Sequence, residues 1–482
     1  MTGSRTAFTG GEEGIDCSAQ VCAGAGRQWQ PASANGTKHR PADIGKDMKV
    51  LWLCNIMLPA FAKAQGLPFS SREGWLTGCF ERMTAQSPPG EMAGSGIELG
   101  ICIPVPQNLD GCRVEVDGAL FYGFYENLSA PEIYDVSLEG RFARILEDFS
   151  PDMVHIFGTE FPHTLAMTKV FGRPDRTLIG IQGLCSAIAE SYMAELPYKV
   201  QKRRTFRDRI RKDSLREQKK KFEARAVNER KALVLAGHVT GRTRFDRDET
   251  ARIHPDAVYH QMNETLRPQF YGPRWDLNGV RRHRIFLSQG DYPLKGFHFV
   301  LQAMPSVLKE YPDAELFVAG NSVIGNVGGR IPAKSLPEPI WISEYGRYLK
   351  SLIRDGNLEG HVIMLGTQTA EQMLEAYLQS HLFICPSSME NSPNSLCEAM
   401  LLGMPVLASS TGGIPSLVEN GAEGLLFPVG NVQALAEDIC NLFEYDQFAC
   451  RLGSTAHKEA LVRHNPDTNY RRMLEIYRSI CR

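Results

Sequence analysis

The stretch from residue 381 to 403 constrains this chain more than any other, because it reads as a buried strand leading through a polar loop into a helix. His381-Leu382-Phe383-Ile384-Cys385 is a short apolar run of strand length. Ser392 reads as the helix N-cap and Pro393 as the first helical residue, where the missing N–H of proline costs nothing. Gly403 ends the helix, since glycine is free to take the left-handed conformation there. The start of such a helix presents unpaired N–H groups and the positive end of a dipole, which together make an anion site. Similar apolar runs recur at 48–54, 101–105, 120–124, 177–183 and 232–240, then at 284–288, 314–318 and 361–365. Helical segments such as 138–149, 345–353 and 371–378 separate several of them. That alternation predicts an α/β chain with doubly wound sheets.

Two carboxylates, Glu390 and Glu398, bracket the helix start. At helical rise their separation spans roughly 12 Å. A retaining glycosidase holds its two carboxyls about 5 Å apart and an inverting one about 6.5–9.5 Å. The pair is therefore suited to holding two ends of one long ligand. Glu390-x7-Glu398 resembles the E-x7-E motif of family 4 glycosyltransferases, which have the GT-B fold. The motif lies between Pro386-Ser387 and Gly403-Met404-Pro405-Val406-Leu407-Ala408. Thr411-Gly412-Gly413-Ile414-Pro415 and Glu423-Gly424-Leu425-Leu426 follow at family-like distances. The resemblance covers roughly residues 284–480. It implies a GT-B architecture of two Rossmann-like domains facing a cleft. It also implies a retaining transfer of a sugar from a nucleotide-sugar donor to an acceptor hydroxyl, in polysaccharide or glycolipid assembly.

By that resemblance Glu398 meets the ribose hydroxyls and Glu390 meets the sugar near the reacting carbon. The diphosphate meets Lys295 and the helix start at Ser392, Asn394 and Ser395, while Gly412-Gly413 lets backbone approach the ligand. The family pattern near residue 290 is Gly-Arg, a short gap, then Lys-Gly. Here Lys295-Gly296 matches, but Asp291 stands in the place of the arginine. A lysine at a helix start is disfavoured by the dipole, which points to an anion bound beside it. Arg242, at the end of a strand in the first half, could supply the missing cation from across the cleft. In the first half, Asp152 to Glu160 reads as a strand and loop similar to acceptor-domain stretches of the family, with Glu160 and His163 at its C-terminal end. Ligands of open α/β sheets bind at that end. The catalytic candidates are thus Glu390, Lys295 and His163. The glycine loop that the family carries after its first strand has Gly74 and Gly78 as its nearest equivalents. No metal-ligand cluster shows, and the implied family needs no metal; the nucleotide sugar is a co-substrate rather than a cofactor.

The expected organisation is a disordered tail at 1–47, an acceptor-binding domain at 48–270, a linker at 271–283, a donor-binding domain at 284–465, and a final helix at 466–482 returning to the first domain. Composition limits the other possibilities. A net charge of -2 gives no global pull toward nucleic acid. The 12 cysteines lack a Cys-x-x-Cys pair and read as reduced thiols, pointing to a cytoplasmic location. No signal-peptide pattern opens the sequence, and the apolar stretch at 50–62 is too short to span a bilayer. A basic block at 199–231 reads either as a solvated helix face or as a surface for anionic lipid at the inner membrane face. Asp246-Arg247-Asp248 matches the Asp-x-Asp metal motif of another transferase class, but its helix-like, charged setting discounts it. Two alternatives stay open: a nucleotide-sugar epimerase or hydrolase on the same fold, and a non-catalytic nucleotide-sugar-binding protein.

Overall fold

The structure, a computed structural model, describes residues 48–69, 76–85, 96–193, 195–325, 329–330 and 341–482. The expected tail at 1–47 and Gly74 of the glycine loop lie outside these residues.

The strands of the first half are β1 (Met48–Cys54), β2 (Ile97–Pro104), β3 (Arg113–Val116), β4 (Ala119–Phe124), β5 (Met153–Phe157), β6 (Thr177–Gly180), β7 (His238–Gly241) and β8 (Val258–Gln261). They form one sheet in the order β3-β4-β2-β1-β5-β6-β7-β8. The second sheet holds β9 (Arg281–Leu287), β10 (Glu315–Ala319), β11 (Gly329–Arg330), β12 (Val362–Gly366), β13 (Ser380–Cys385), β14 (Val406–Ser409) and β15 (Leu425–Phe427). Its order is β11-β12-β10-β9-β13-β14-β15. Among these strands only the edge pairs β3–β4 and β11–β12 are antiparallel.

The central strands show why the apolar runs lack polar alternation. Val50, Trp52 and Cys54 of β1 face one buried cluster, and Leu51 and Leu53 face another on the opposite side. In β9, Ile285 and Leu287 face one cluster and Phe286 the other. A strand covered on both faces must be apolar at every position.

The strand order reverses once in each sheet, between β1 and β5 and between β9 and β13. Loops leaving two such strands part to opposite faces and open a crevice at the strands' C-terminal ends. Asn55 follows β1 and Glu160 lies just beyond β5, while Ser288 follows β9 and the loop 386–391 follows β13.

The final helix, Pro466–Cys481, packs Met473, Ile476, Tyr477 and Ile480 against the Trp52 face of the first sheet. The Trp52 Nε1–H donates to the Tyr477 hydroxyl at 2.9 Å, and His155 Nδ1 lies 2.7 Å from the same oxygen. Burial pushes the His155 pKa down to about 3, so this knot is held by a neutral ring.

One expectation needs correction: the run 232–240 is not one strand. The helix Leu215–Val234, opened by a Ser214–Glu217 capping box, takes its first three residues, and only His238–Gly241 is extended. The helix wins because Ala226, Ala232 and Leu233 all become buried along it. The core beneath the second sheet also draws on the first half of the chain. Tyr192, Leu196, Val200 and Leu215 join Phe297, Leu301 and Leu349 in the core beneath the second sheet.

Candidate active site

A cleft of about 450 Å³ opens where the two switch points meet. Asn55, Glu160, Gln182 and Arg242 line it from the first sheet, and Ser288, Lys295, Ser392 to Ser395 and Glu398 from the second.

Lys295 sits in a short 3-10 turn that ends at Gly296, whose φ is 69°. A Cβ at residue 296 would lie 1.9 Å from the Pro386 carbonyl oxygen, so only glycine lets this turn press against the loop after β13. The close approach brings Lys295 Nζ to 2.6 Å from Glu390 Oε1. The Ser387 hydroxyl donates to the same oxygen at 2.8 Å. Burial works against the Lys295 charge, but Glu390, with Tyr292, more than offsets it and holds the ammonium above the ordinary lysine value. Two residues expected to meet different parts of a ligand are therefore paired with each other.

The helix after this loop is Asn394–Leu402, with Pro393 as its N-cap in extended conformation (φ −71°, ψ 113°). Ser392 is thus not the cap, a correction of one residue. Its hydroxyl oxygen is instead buried without a hydrogen-bond partner among the described residues. The unpaired N–H groups of the first turn face the same cleft.

Glu398 is 3% exposed and is gripped by Arg267, with Nε to Oε1 and Nη2 to Oε2 both at 2.7 Å. Burial opposes the Arg267 charge and Glu398 restores it, leaving the guanidinium above its usual value. Arg267 also lies 4.7 Å from the Phe270 ring centroid. Sequence reading assigns Arg267 only to the end of the first domain. Its neighbours Pro268 and Gly272 suggest a loop, and its partner is 131 residues away.

Arg242 reaches the cleft, but its charge is engaged. Its Nη1 donates to Glu264 and to Asn394 Oδ1, both at 2.8 Å, and Nη2 donates to Gln182 at 3.3 Å. The bond to Asn394 ties the first sheet to the helix start. Asn391 makes a second tie: its Nδ2 donates to Asp246 at 2.8 Å and its Oδ1 accepts from the Leu184 N–H at 3.3 Å. Asp246 is the third residue of a capping box on the helix Arg244–Ile253. Of the Asp-x-Asp match, Asp246 thus serves the helix start and the tie to Asn391.

Three candidates are placed differently from expectation. His163 does not line the cleft. It is fully buried, with Nδ1 at 2.7 Å from Glu126 and its ring stacked on Phe161, because Pro162 starts the helix that carries it inward. Gly412 and Gly413 do not approach the cleft either. A Cβ would stand 2.0 Å from the Glu390 carbonyl oxygen at residue 412, and 1.8 Å from the Asn391 carbonyl oxygen at 413. The Gly413 N–H donates to Glu390 O at 2.9 Å. These glycines let one loop brace another. The cleft residues that sequence reading passes over include Arg267, Asn55, Gln182 and Ser288. For Asn55, Gln182 and Ser288 a position at the end of a strand was the available signal; Arg267 lies beyond β8 in a loop and carried none.

Comparison with known proteins agrees with this geometry. Residues 278–459 match the family described as glycosyl transferases group 1. The chain is 26% identical over 244 residues to spore coat protein SA of Bacillus subtilis, covering 47% of this chain and 59% of that protein. It is 33% identical over 134 residues to the amylovoran biosynthesis glycosyltransferase AmsK of Erwinia amylovora, covering 27% and 33%. The chain thus spans about a third to three fifths of the length of these relatives. The structure of Anabaena HepE in complex with UDP-glucose superposes with a TM-score of 0.59 at 16% identity, over 90% of this chain and all of that one. The fold is GT-B, with two parallel-sheet Rossmann-like halves.

Proposed function

We propose, from the match of residues 278–459 to the family described as glycosyl transferases group 1, that the chain transfers a glycosyl unit from a nucleotide sugar to an acceptor hydroxyl with retention of configuration. The observation that carries this reading is the cleft wall on which two cation–carboxylate pairs, Lys295 with Glu390 and Arg267 with Glu398, flank a helix start where a diphosphate would be held. Glu160 and Asn55 line the cleft from the first sheet. On this reading Glu398 and Arg267 meet the nucleoside end, and Lys295 and the Ser392–Ser395 turn meet the diphosphate. Glu390 stands by the sugar carbon where positive charge develops. Arg242 acts as a tie between the halves. No group of metal-ligating side chains occurs among the described residues, and no metal is invoked. HepE with its UDP-glucose makes uridine nucleotides the first to try. The test is calorimetric titration with UDP, GDP, ADP and CMP, followed by product analysis with the matching nucleotide sugars. One nucleotide at 100 times its dissociation constant should stabilise the fold by about 2.7 kcal/mol. No nucleotide binding would overturn the reading. Free sugar in place of glycoside would indicate a hydrolase, and an isomerised donor an epimerase.

We also propose that the acceptor is lipid-linked and that the chain docks on an anionic membrane. No described helix is long and apolar enough to cross a bilayer, so docking would be peripheral. Within the basic block at 199–231, its first part offers the more exposed cations. In the helix Leu215–Val234, Lys221 pairs with Glu132 at 3.3 Å and Lys219 is half-buried. On the helices Tyr198–Lys202 and Phe206–Arg211 and in the turn between them, Lys199, Lys202, Arg203, Arg204, Arg209 and Arg211 are exposed. Tyr198, Phe206 and Ile210 are also more than half exposed, and Phe206 packs edge-on to Trp341. Apolar side chains among cations suit an interface of acyl chains and acidic headgroups, where each basic residue adds about 1 kcal/mol. Reversing Arg209, Arg211 and Lys212 to Glu should abolish sedimentation with phosphatidylglycerol vesicles at low salt, while reversing Lys219 to Lys221 should weaken it less. Equal binding by both triple variants would remove this face from consideration.

A further inference from the structure

We propose that Asn55 and Glu160 form the subsite for the acceptor, and that they take a neutral, hydroxyl-bearing sugar or polyol end. The inference rests on the glycosyl-transfer reading and adds the chemical class of its second substrate. β1 and β5 are the strands at which the first sheet reverses, and Cys54 pairs with Phe157 at their ends. Asn55 and Glu160 therefore leave the sheet at its switch point, where a ligand crevice forms.

The loop is built to hold them together. Gly158 has a φ of 100°, and a Cβ there would fall 2.4 Å from Glu160 Oε2 and 2.9 Å from Asn55 Nδ2. Only glycine leaves room for the carboxylate to fold back beside the amide. Gly183, beyond β6, has the same relation to the other oxygen, at 3.0 Å from Oε1.

Glu160 Oε2 and Asn55 Oδ1 are each buried without a hydrogen-bond partner among the described residues, and both side chains line the cleft. Leaving a buried acceptor unpaired costs about 1–3 kcal/mol. Two such acceptors on one wall are a cost that a ligand can relieve. Both atoms accept, so the ligand must donate; a phosphate or carboxylate would meet lone pairs with lone pairs. The nearby cations do not change this. Arg242 is bonded to Glu264, and Arg225 donates its Nε to the Glu160 carbonyl oxygen. Burial, and after it the neighbouring Glu229, raise the Glu160 pKa, and a hydroxyl donating to the carboxylate would favour its charged form. Two unpaired acceptor atoms in the lining of one cleft match the donating hydroxyls of a neutral sugar.

The test compares three acceptors with the nucleotide sugar found above: p-nitrophenyl glycosides of a neutral hexose, a 2-amino-hexose and a hexuronic acid. Wild type should use the neutral hexoside, and the uronide at least about 10-fold less well in kcat/KM. Glu160→Gln and Asn55→Leu should each lower kcat/KM for the neutral hexoside by about 10–100-fold, chiefly through the acceptor KM. Their calorimetric affinity for the free nucleoside diphosphate should stay within about 2-fold of wild type, which also reports that the variants are folded. Preference of wild type for the uronide or the amino-hexoside overturns the proposal, as does an unchanged acceptor KM in both variants. Parallel loss of nucleotide affinity overturns it too. If wild type transfers to no acceptor, the glycosyl-transfer reading fails, and the subsite is judged on its own. Saturation-transfer NMR should then show methyl hexoside contacting wild type but not Glu160→Gln, and absence of that difference overturns the subsite.

Discussion

Arg267→Ala should destabilise the fold by about 3–5 kcal/mol, a loss large enough to unfold much of a marginally stable chain. Arg267 and Glu398 form a two-pronged pair with both contacts at 2.7 Å, and Glu398 is almost wholly out of water. Removing the guanidinium strands a buried carboxylate, which must then either stay charged at high cost or take up a proton. The double substitution Arg267→Met, Glu398→Gln leaves no charge behind and should recover at least half of the loss. Urea unfolding of the two variants and wild type decides the matter: a change of less than about 1 kcal/mol in Arg267→Ala would mean that water already reaches the pair. The pairing also bears on ligand binding. Each carboxylate oxygen retains a lone pair after accepting from Arg267, so ribose hydroxyls can share Glu398 with the arginine. Glu398→Gln should then weaken binding of free nucleoside diphosphate as well as of the nucleotide sugar.

Lys295→Ala and Glu390→Gln should move nucleotide binding in opposite directions. Lys295→Ala removes a charged donor from the diphosphate and should cost about 1.5–3 kcal/mol of affinity. Glu390→Gln removes the carboxylate that Lys295 contacts at 2.6 Å. The ammonium is then released toward the ligand, so nucleoside diphosphate should bind as tightly as to wild type or more so. Turnover should nonetheless fall on the order of a hundredfold, because on the proposed reading this carboxylate faces the reacting carbon. Calorimetry beside steady-state kinetics separates the two effects. Loss of nucleotide affinity in Glu390→Gln would show that the carboxylate orients Lys295 for the phosphates and does not compete with them.

Much of this arrangement was legible from residue order alone. Doubly wound sheets follow from apolar runs such as 48–54 and 284–288 separated by helices, and the cleft-lining turn follows from Pro393 and the carboxylates around it. What was not legible depended on distant partners. Arg267 looks like a loop residue until Glu398 comes alongside it. Gly412 and Gly413 carry the signature of close backbone approach, and that approach exists, but toward the carbonyls of Glu390 and Asn391. A glycine reports that something is near without saying what. His163 was misplaced because a position just beyond a strand does not tell which way the next helix turns its side chains; here Glu126, 37 residues earlier, holds the ring inward. The strand at 232–240 was lost to a helix whose buried face is set by its packing, which local propensity does not register.

The Trp52–Tyr477 hydrogen bond joins residues 425 positions apart. At about 5–20 residues per second, a ribosome needs roughly 20–85 s to travel from one to the other. Throughout that interval Trp52 and the face of β1 around it have no final helix to cover them. The first half of this chain is therefore an early-made surface that waits for residues made much later. Nascent chains stalled before codon 466 should be held by chaperones that bind exposed apolar strands, and emergence of the helix Pro466–Cys481, more than completion of the first sheet, would set when the molecule leaves them.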